Sequence, residues 1–271
     1  MKLSIITINK NNAHGLEKTI QSVINQSHKN FEYIVIDGNS TDGSIEIIKE
    51  YSNGINYWIS ESDTGIYNAM NKGIRKAQGD YCLFLNSGDY LVSSTTINNV
   101  LNEINELIPA DIYYSDCIRS NGDIIRYPEI LTINNLIGIG INHQNSLIKR
   151  SLFLEHSLYN EKLRIAADQE YFMLESWKYK SKFIHIKTNI SIFDIHGIGS
   201  LSSPEQLAED IIVYNNIFQE LSVTILEVID YHRSIYYDFK NYSNSKILLF
   251  ILRVYKFILR VCKFIIKRIF R

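Results

Sequence analysis

The chain is expected to fold as an α/β protein with a mainly parallel central sheet flanked by helices and followed by C-terminal helices, on three observations. Residues 1–91 alternate strand and helix patterns in the order β-α-β-α-β-α-β. The strand candidates are short apolar runs, the kind a sheet covered on both faces requires. Polar turns rich in Asp and Asn follow them, and because parallel strands all point one way, those turns gather on the edge where open α/β sheets bind ligands.

Residues 3–9 are β-rich and lead through Asn11, Asn12, Ala13 and His14 into a helix carried by Leu16, Ile20, Val23 and Ile24 to about Gln26. Residues 31–37 form the next strand, and Asp37-Gly38-Asn39-Ser40-Thr41-Asp42-Gly43 is a polar turn opening a helix through Ile45, Ile47 and Ile48. Residues 57–60 read as a short strand. The following stretch, residues 62–91, organises the rest. Ile66, Ala69, Met70, Gly73, Ile74 and Ala77 recur at three- and four-residue spacing, so residues 66–77 make a helix with one buried face, stopped by Gly79-Asp80. Residues 81–85 are then an apolar strand, ended by Asn86-Ser87-Gly88-Asp89. Further on, a helix is expected over 95–107, a strand over 111–116, a hairpin at Asn121-Gly122 and a strand over 146–149. A helix start at 165–172, a strand over 183–195, and helices over 204–221 and 224–239 complete the pattern. This divides the chain into an α/β domain over 1–203, a helical extension over 204–243 and an amphipathic segment over 244–271.

With 271 residues, 45% of them apolar, the chain supports a sizeable core. The formal charge of −1 conceals an asymmetry: residues 246–271 carry eight basic and no acidic side chains, leaving 20 basic against 29 acidic, a net of −9, elsewhere. An acidic body argues against general nucleic-acid binding. Cys82, Cys117 and Cys262 are few and odd in number, which speaks against a disulfide framework or a zinc cluster and for a reducing compartment. The N-terminus turns polar after six positions without a small-residue cleavage site, so it reads as a strand rather than a signal peptide. In the last segment Arg253, Lys256, Arg260, Lys263, Lys267 and Arg271 form one helical stripe opposite an apolar face. The longest uncharged run there, residues 247–252, is far shorter than the roughly 20 residues a spanning helix needs. A basic helix lying on an anionic membrane surface is expected, the alternative being a helix that packs on protein.

Neither G-x-G-x-x-G after the first strand nor G-x-x-x-x-G-K-[ST] is present. The turns offer carboxylates instead: Asp37, Asp42, Asp63, Asp89, Asp116 and Asp168. Such groups can accept hydrogen bonds from a ribose or base, hold a hard cation beside a diphosphate, or deprotonate a hydroxyl nucleophile. Taken singly, each also fits a helix cap or a turn, and Asn-Ser-Gly-Asp is ordinary turn chemistry.

Taken together these motifs resemble the inverting family 2 glycosyltransferases of GT-A fold, over residues 3–202. SIITINKNN resembles the family's opening strand and nucleotide-contacting loop, which implicates Thr7 and Asn9. VIDGNSTDGS resembles the V-D-x-x-S-T-D-G turn, implying a base contact for Asp37. SDTGIYNAMNKG resembles S-x-x-D-x-G-I-Y-D-A-M-N-K-G and implies nucleotide-sugar contacts for Asp63, Asn71 and Lys72, with Asn68 standing where the motif has Asp. LNSGD stands at the D-x-D position with Asp89 its single carboxylate, which implies Asp89 as ligand to Mn²⁺ or Mg²⁺ and Asn86 as a donor contact. NHQNSLIKRSLF resembles the H-Q-S-x-x-x-x-R segment, suggesting acceptor or supporting roles for His143 and Gln144. RIAADQEYF resembles A-x-D-Y-[DE], whose Asp is the general base, here Asp168. FDIHGIGS resembles F-x-x-G-G-x-S and makes His196 a further candidate for the metal.

The resemblance implies sugar transfer with inversion from a nucleotide sugar, foremost a UDP-sugar, to an acceptor hydroxyl. With the basic segment it suggests a lipid-linked saccharide in cell-surface polysaccharide synthesis, at the cytoplasmic face of the cell membrane. Two rivals stand beside it. A nucleotidyltransferase should carry a Gly- and Lys/Arg-rich phosphate loop, for which KNNAHGLEK is a poor match, and a non-catalytic scaffold of the same fold would not need both Asp89 and Asp168.

Overall fold

The computed structural model describes residues 1–138, 140–196 and 204–221; the expected helix over 224–239, the basic segment and the glycine turn over 197–200 lie outside them. Met1–Ile217 form one compact unit. It begins with β1 (Leu3–Asn9), α1 (Ala13–Ile24), β2 (Phe31–Asp37), α2 (Ser44–Glu50), β3 (Tyr57–Ser60), α3 (Ile66–Lys76) and β4 (Tyr81–Asn86). These are the alternating elements the sequence predicts. β5 (Tyr90–Leu91), α4 (Thr96–Glu106), β6 (Ile112–Tyr114), β7 (Cys117–Arg119), β8 (Ile124–Ile125), α5 (Ile133–Gly138) and β9 (Ser146–Lys149) follow. The remainder comprises α6 (Arg150–Glu155), α7 (Ala167–Trp177), β10 (Phe183–His185), β11 (Ser191–Phe193) and α8 (Pro204–Leu221).

Seven strands pair in the order β10-β6-β9-β4-β1-β2-β3, all parallel to their neighbours except β9, which runs against both β4 and β6. This mixed α/β sheet with helices on both faces is the GT-A architecture. On one face Leu16, Ile20 and Val23 of α1 and Ile97, Val100 and Leu101 of α4 pack against Ile5, Tyr33, Val35 and Leu83. Each such side chain contributes about 1.5–3 kcal/mol by leaving water. On the other face α3 lies so close that a Cβ at Gly73 would stand 2.4 Å from Ile6 Cγ2, which is why that turn of helix carries glycine.

The single strand expected over 183–195 is two strands in two sheets. β10 extends the main sheet beside β6, whereas β11 joins β5, β7 and β8 in a second, four-stranded sheet. The break has a tertiary cause: Glu103 of α4 accepts the backbone N–H groups of Lys187 and Thr188 at 2.7 and 2.9 Å, taking them out of any ladder. The second sheet matters to the site because it sets β11, and therefore Asp194, beside the end of β4. Among the described residues no helix is long and apolar enough to cross a membrane.

Candidate active site

Because β1, β2, β3 and β4 are parallel, their carboxyl ends share one edge. A cavity of about 830 Å³ opens there, walled by the ends of β1 and β4, the turns before α3 and α7, the segment before β9, the end of β11 and one face of α8.

Asp168, in the first turn of α7, faces this cavity. Its Oδ1 accepts the Tyr67 hydroxyl at 2.9 Å and the Gln169 N–H at 3.0 Å, and its Oδ2 lies 2.8 Å from His143 Nδ1. A carboxylate only accepts, so Nδ1 carries the proton shared with it. His143 Nε2 lies 3.2 Å from Asn86 Nδ2 at the end of β4, so Asp168, His143 and Asn86 form one hydrogen-bonded row across the cavity. Burial first, and the Asp168 charge second, hold the Tyr67 hydroxyl well above its ordinary value, so it remains a donor.

Asp89 also lines the cavity but is only 2% exposed. Its oxygens accept the N–H groups of Asn86 at 3.1 Å and Asp194 at 2.9 Å. Burial pushes its carboxyl up to about 6; the backbone donors oppose that rise, and the neighbouring Asp194 adds to it. Gly88 between them takes φ +111°, and a Cβ there would stand 2.6 Å from Asp194 Oδ2, so both the turn and the close approach of β11 require glycine. Asp194 and His196 line the same cavity, and the His196 N–H donates to Asp194 Oδ1 at 3.1 Å. Hard oxygen donors from two adjacent carboxylates suit Mg²⁺ or Mn²⁺, whose charge would relieve the repulsion between them. Among the described residues no group of three His, Cys, Asp or Glu side chains is gathered to hold a metal ion.

The structure brings Asn9, Asp63, Asn86, Asp89, His143, Gln144, Asp168 and His196 to one cavity. It places Thr7, Asp37, Asn71 and Lys72 outside the cavity wall, each for a physical reason. The Thr7 hydroxyl is buried 3.0 Å from that of Tyr33 in the core. Asp37, fully buried, accepts from Asn9 Nδ2 at 2.7 Å, Ser60 Oγ at 2.6 Å and both the N–H and Oγ of Ser40, at 2.9 and 2.6 Å. Against the effect of burial, these donors hold its carboxyl below the usual range. It orients Asn9, which does face the cavity. Asn71 pairs with the backbone of Tyr159 in both directions, at 2.9 and 3.0 Å, and donates to Glu161 at 2.8 Å. Lys72 is bound to Glu61 at 2.8 Å and to the Ser62 carbonyl at 2.9 Å. These two brace loops on either side of the site.

Several cavity residues went unidentified in the sequence. Asp194 sits inside FDIHGIGS beside His196, and its one signal in the sequence is a carboxylate near a strand end. Asn12 caps α1 by accepting the Gly15 N–H at 3.0 Å and donates to the Ser87 carbonyl at 2.9 Å. Gln206, Asp210 and Tyr214 of α8 had no local signal, since a helix four residues per step polar reads as a solvated face.

A mainly parallel sheet with a cavity at the carboxyl ends of its strands is the architecture of the GT-A class. The chain belongs to the family "Glycosyl transferase family 2", whose model matches residues 4–165, and it is a glycosyltransferase. An uncharacterized glycosyltransferase of Mycobacterium tuberculosis is 30% identical over 214 residues, 77% of this chain and 81% of that one. The putative teichuronic acid biosynthesis glycosyltransferase TuaG of Bacillus subtilis is 38% identical over 90 residues, 32% of this chain and 36% of that one. Among solved structures, S. aureus TarS in complex with UDP-GlcNAc superimposes with a TM-score of 0.66 at 20% identity, over 80% of this chain and 67% of that one. The mannosyltransferase PcManGT from Pyrobaculum calidifontis, in complex with GDP-Man and Mn²⁺, gives 0.55 at 11% identity, over 95% and 80%. At those identities the two structures bear on the fold.

Proposed function

We propose that the protein transfers a sugar from a nucleoside-diphosphate donor, foremost a UDP-sugar, to an acceptor hydroxyl with inversion at the anomeric carbon. The observation that carries this reading is Asp168: a carboxylate held by Tyr67, His143 and a backbone N–H, in the same cavity as the Asp89–Asp194 pair. Three donors fix its orientation while lone pairs remain to accept the acceptor's proton. As the acceptor O–H bond breaks, its proton passes to Asp168; the oxygen forms the new bond to the anomeric carbon, and the nucleoside diphosphate leaves from the opposite face with the bonding pair. Asp89 and Asp194 would hold Mn²⁺ or Mg²⁺, with His196 beside them, and such a cation offsets the charge developing on the leaving diphosphate. Asn9 and Asp63, at the β1 end of the cavity, are the residues assigned to the nucleoside. The nucleotide-sugar and Mn²⁺ complexes of the two solved structures support this reading.

The acceptor we infer is a lipid-linked saccharide in cell-envelope polysaccharide assembly, met by a protein seated peripherally on the inner face of the membrane. The similarity to TuaG and the basic stripe over 246–271 support it.

Calorimetric titration with UDP, GDP and CMP, each with and without Mn²⁺, tests the donor. Metal-dependent binding of one nucleoside diphosphate is the expected outcome; binding of none, at millimolar nucleotide, overturns the reading. The configuration of the new linkage, read by NMR coupling constants, tests inversion.

A further inference from the structure

Resting on that transferase reading, we infer that α8 builds the acceptor subsite and that Asp210 receives hydrogen bonds from hydroxyls of a neutral, polyhydroxylated acceptor. Gln206, Asp210 and Tyr214 stand at four-residue spacing, one face of α8, and all three line the cavity that holds Asp168. The helix is fastened to the segment that carries the base. Glu209 accepts the N–H groups of Arg164, Ile165 and Ala166 at 2.7, 2.7 and 3.0 Å, and the Tyr214 hydroxyl accepts from Gln169 Nε2 at 3.0 Å while donating to the Ile137 carbonyl at 2.9 Å.

Asp210 is the member of that face whose needs the protein leaves unmet. Its Oδ1 has no hydrogen-bond partner among the described residues, and the residue, half-buried, lines the cavity. An orphaned carboxylate oxygen is costly and calls for a donor from outside the chain. Burial, then the charges of Glu209 and Asp168, push its carboxyl up to about 6, which places it within electrostatic reach of the base. Asp168 and Asp210 thus both line this wall of the cavity, each able to accept a hydrogen bond. A sugar bearing several hydroxyls suits this wall: one hydroxyl gives its proton to Asp168 and a neighbouring one donates to Asp210. Accepting a hydrogen bond aligns the sugar; no bond to Asp210 forms or breaks.

The test measures transfer from UDP-glucose and UDP-N-acetylglucosamine to octyl glucoside, octyl galactoside and octyl N-acetylglucosaminide, comparing wild type with Asp210→Asn and Asp210→Ala. The expected result is an acceptor KM raised about tenfold in both variants, with the calorimetric Kd for UDP within twofold of wild type. That UDP control also reports an intact fold, and the isosteric Asn variant guards against a packing defect. An unchanged acceptor KM overturns the inference, as does a wild type that hydrolyses the donors yet glycosylates none of the octyl sugars. A wild type that binds no nucleoside diphosphate removes the transferase reading itself, a separate outcome read before any variant is made.

Discussion

At the scale of single residues the site separates groups that face substrate from groups that hold them. Asp168→Asn keeps the shape, but its NH2 must face one of the donors that hold the carboxylate, and it cannot take a proton. Transfer should fall by about 10²–10⁴-fold while the Kd for UDP stays near wild type; substantial turnover in that variant would take Asp168 out of the base role. Asn68 illustrates the other kind. It stands where the resembling motif has Asp, and its Nδ2 donates to Glu161 Oε2 at 2.7 Å, while Glu161 also accepts from Asn71. Those two side-chain amides, Asn71 foremost, hold the Glu161 carboxyl below the usual range. An Asp at 68 would set carboxylate against carboxylate, so Asn68→Asp should lower stability by about 0.5–1 kcal/mol at pH 7 and recover at pH 4, as thermal unfolding will read. The departure from the motif is thus a compensation for Glu161, ninety-odd residues away, which no local reading of the motif can see.

Elements explain why some of the fold was legible in the sequence and some was not. α1 and α3 were readable because their apolar spacing and their stops are local: Leu16, Ile20 and Val23 in one, Met70, Gly73 and Ile74 before Gly79 in the other. The division of residues 183–195 into β10 and β11 was not, because the cause is Glu103 on a distant helix. The same distinction holds in the site. Asp89 and Asp168 are legible through the motifs they sit in, LNSGD and RIAADQEYF, whereas Asp210 acquires its place only when α8 docks. That docking depends on Glu209, which serves as a tertiary cap. The N-cap position of α7 is Ala166, whose methyl cannot accept a hydrogen bond, and Glu209 accepts the N–H groups of Ala166 and of Arg164 and Ile165 leading into it. Glu209→Ala should therefore destabilise the protein by about 1–2 kcal/mol. Because the loosened segment carries Asp168, kcat should fall with little change in the Kd for UDP. A variant with wild-type kcat would show that α8 does not position α7.

For the whole molecule, the carboxylates held below their usual range act as ties between segments far apart in the chain. Asp37 joins β2 to Asn9 of β1 and Ser60 of β3, Asp42 accepts the Ala13 N–H at the start of α1, and Glu103 holds residues 187 and 188. Their ionised forms are favoured by folding: each overcomes the opposing effect of burial through hydrogen bonds, from Ser40 first for Asp37, Ser44 for Asp42 and Lys187 for Glu103. A carboxyl whose folded pKa lies below its unfolded one stabilises fully above the unfolded value, near 4, and that stability is lost as pH falls through the folded value. The thermal midpoint should therefore hold on the acid side down to about pH 4 and drop steeply below it. Asp37→Asn separates this account from a general charge effect. It leaves the fold without a charged acceptor for Asn9, Ser40 and Ser60, which should cost about 2–4 kcal/mol at pH 7. It also removes one titrating tie, so the loss relative to wild type must shrink as pH is lowered from 5 to 3. If the two midpoints instead fall in parallel across that range, the Asp37 carboxylate is not what couples β1, β2 and β3 to pH, and the acid sensitivity of the sheet edge that carries the site has another origin.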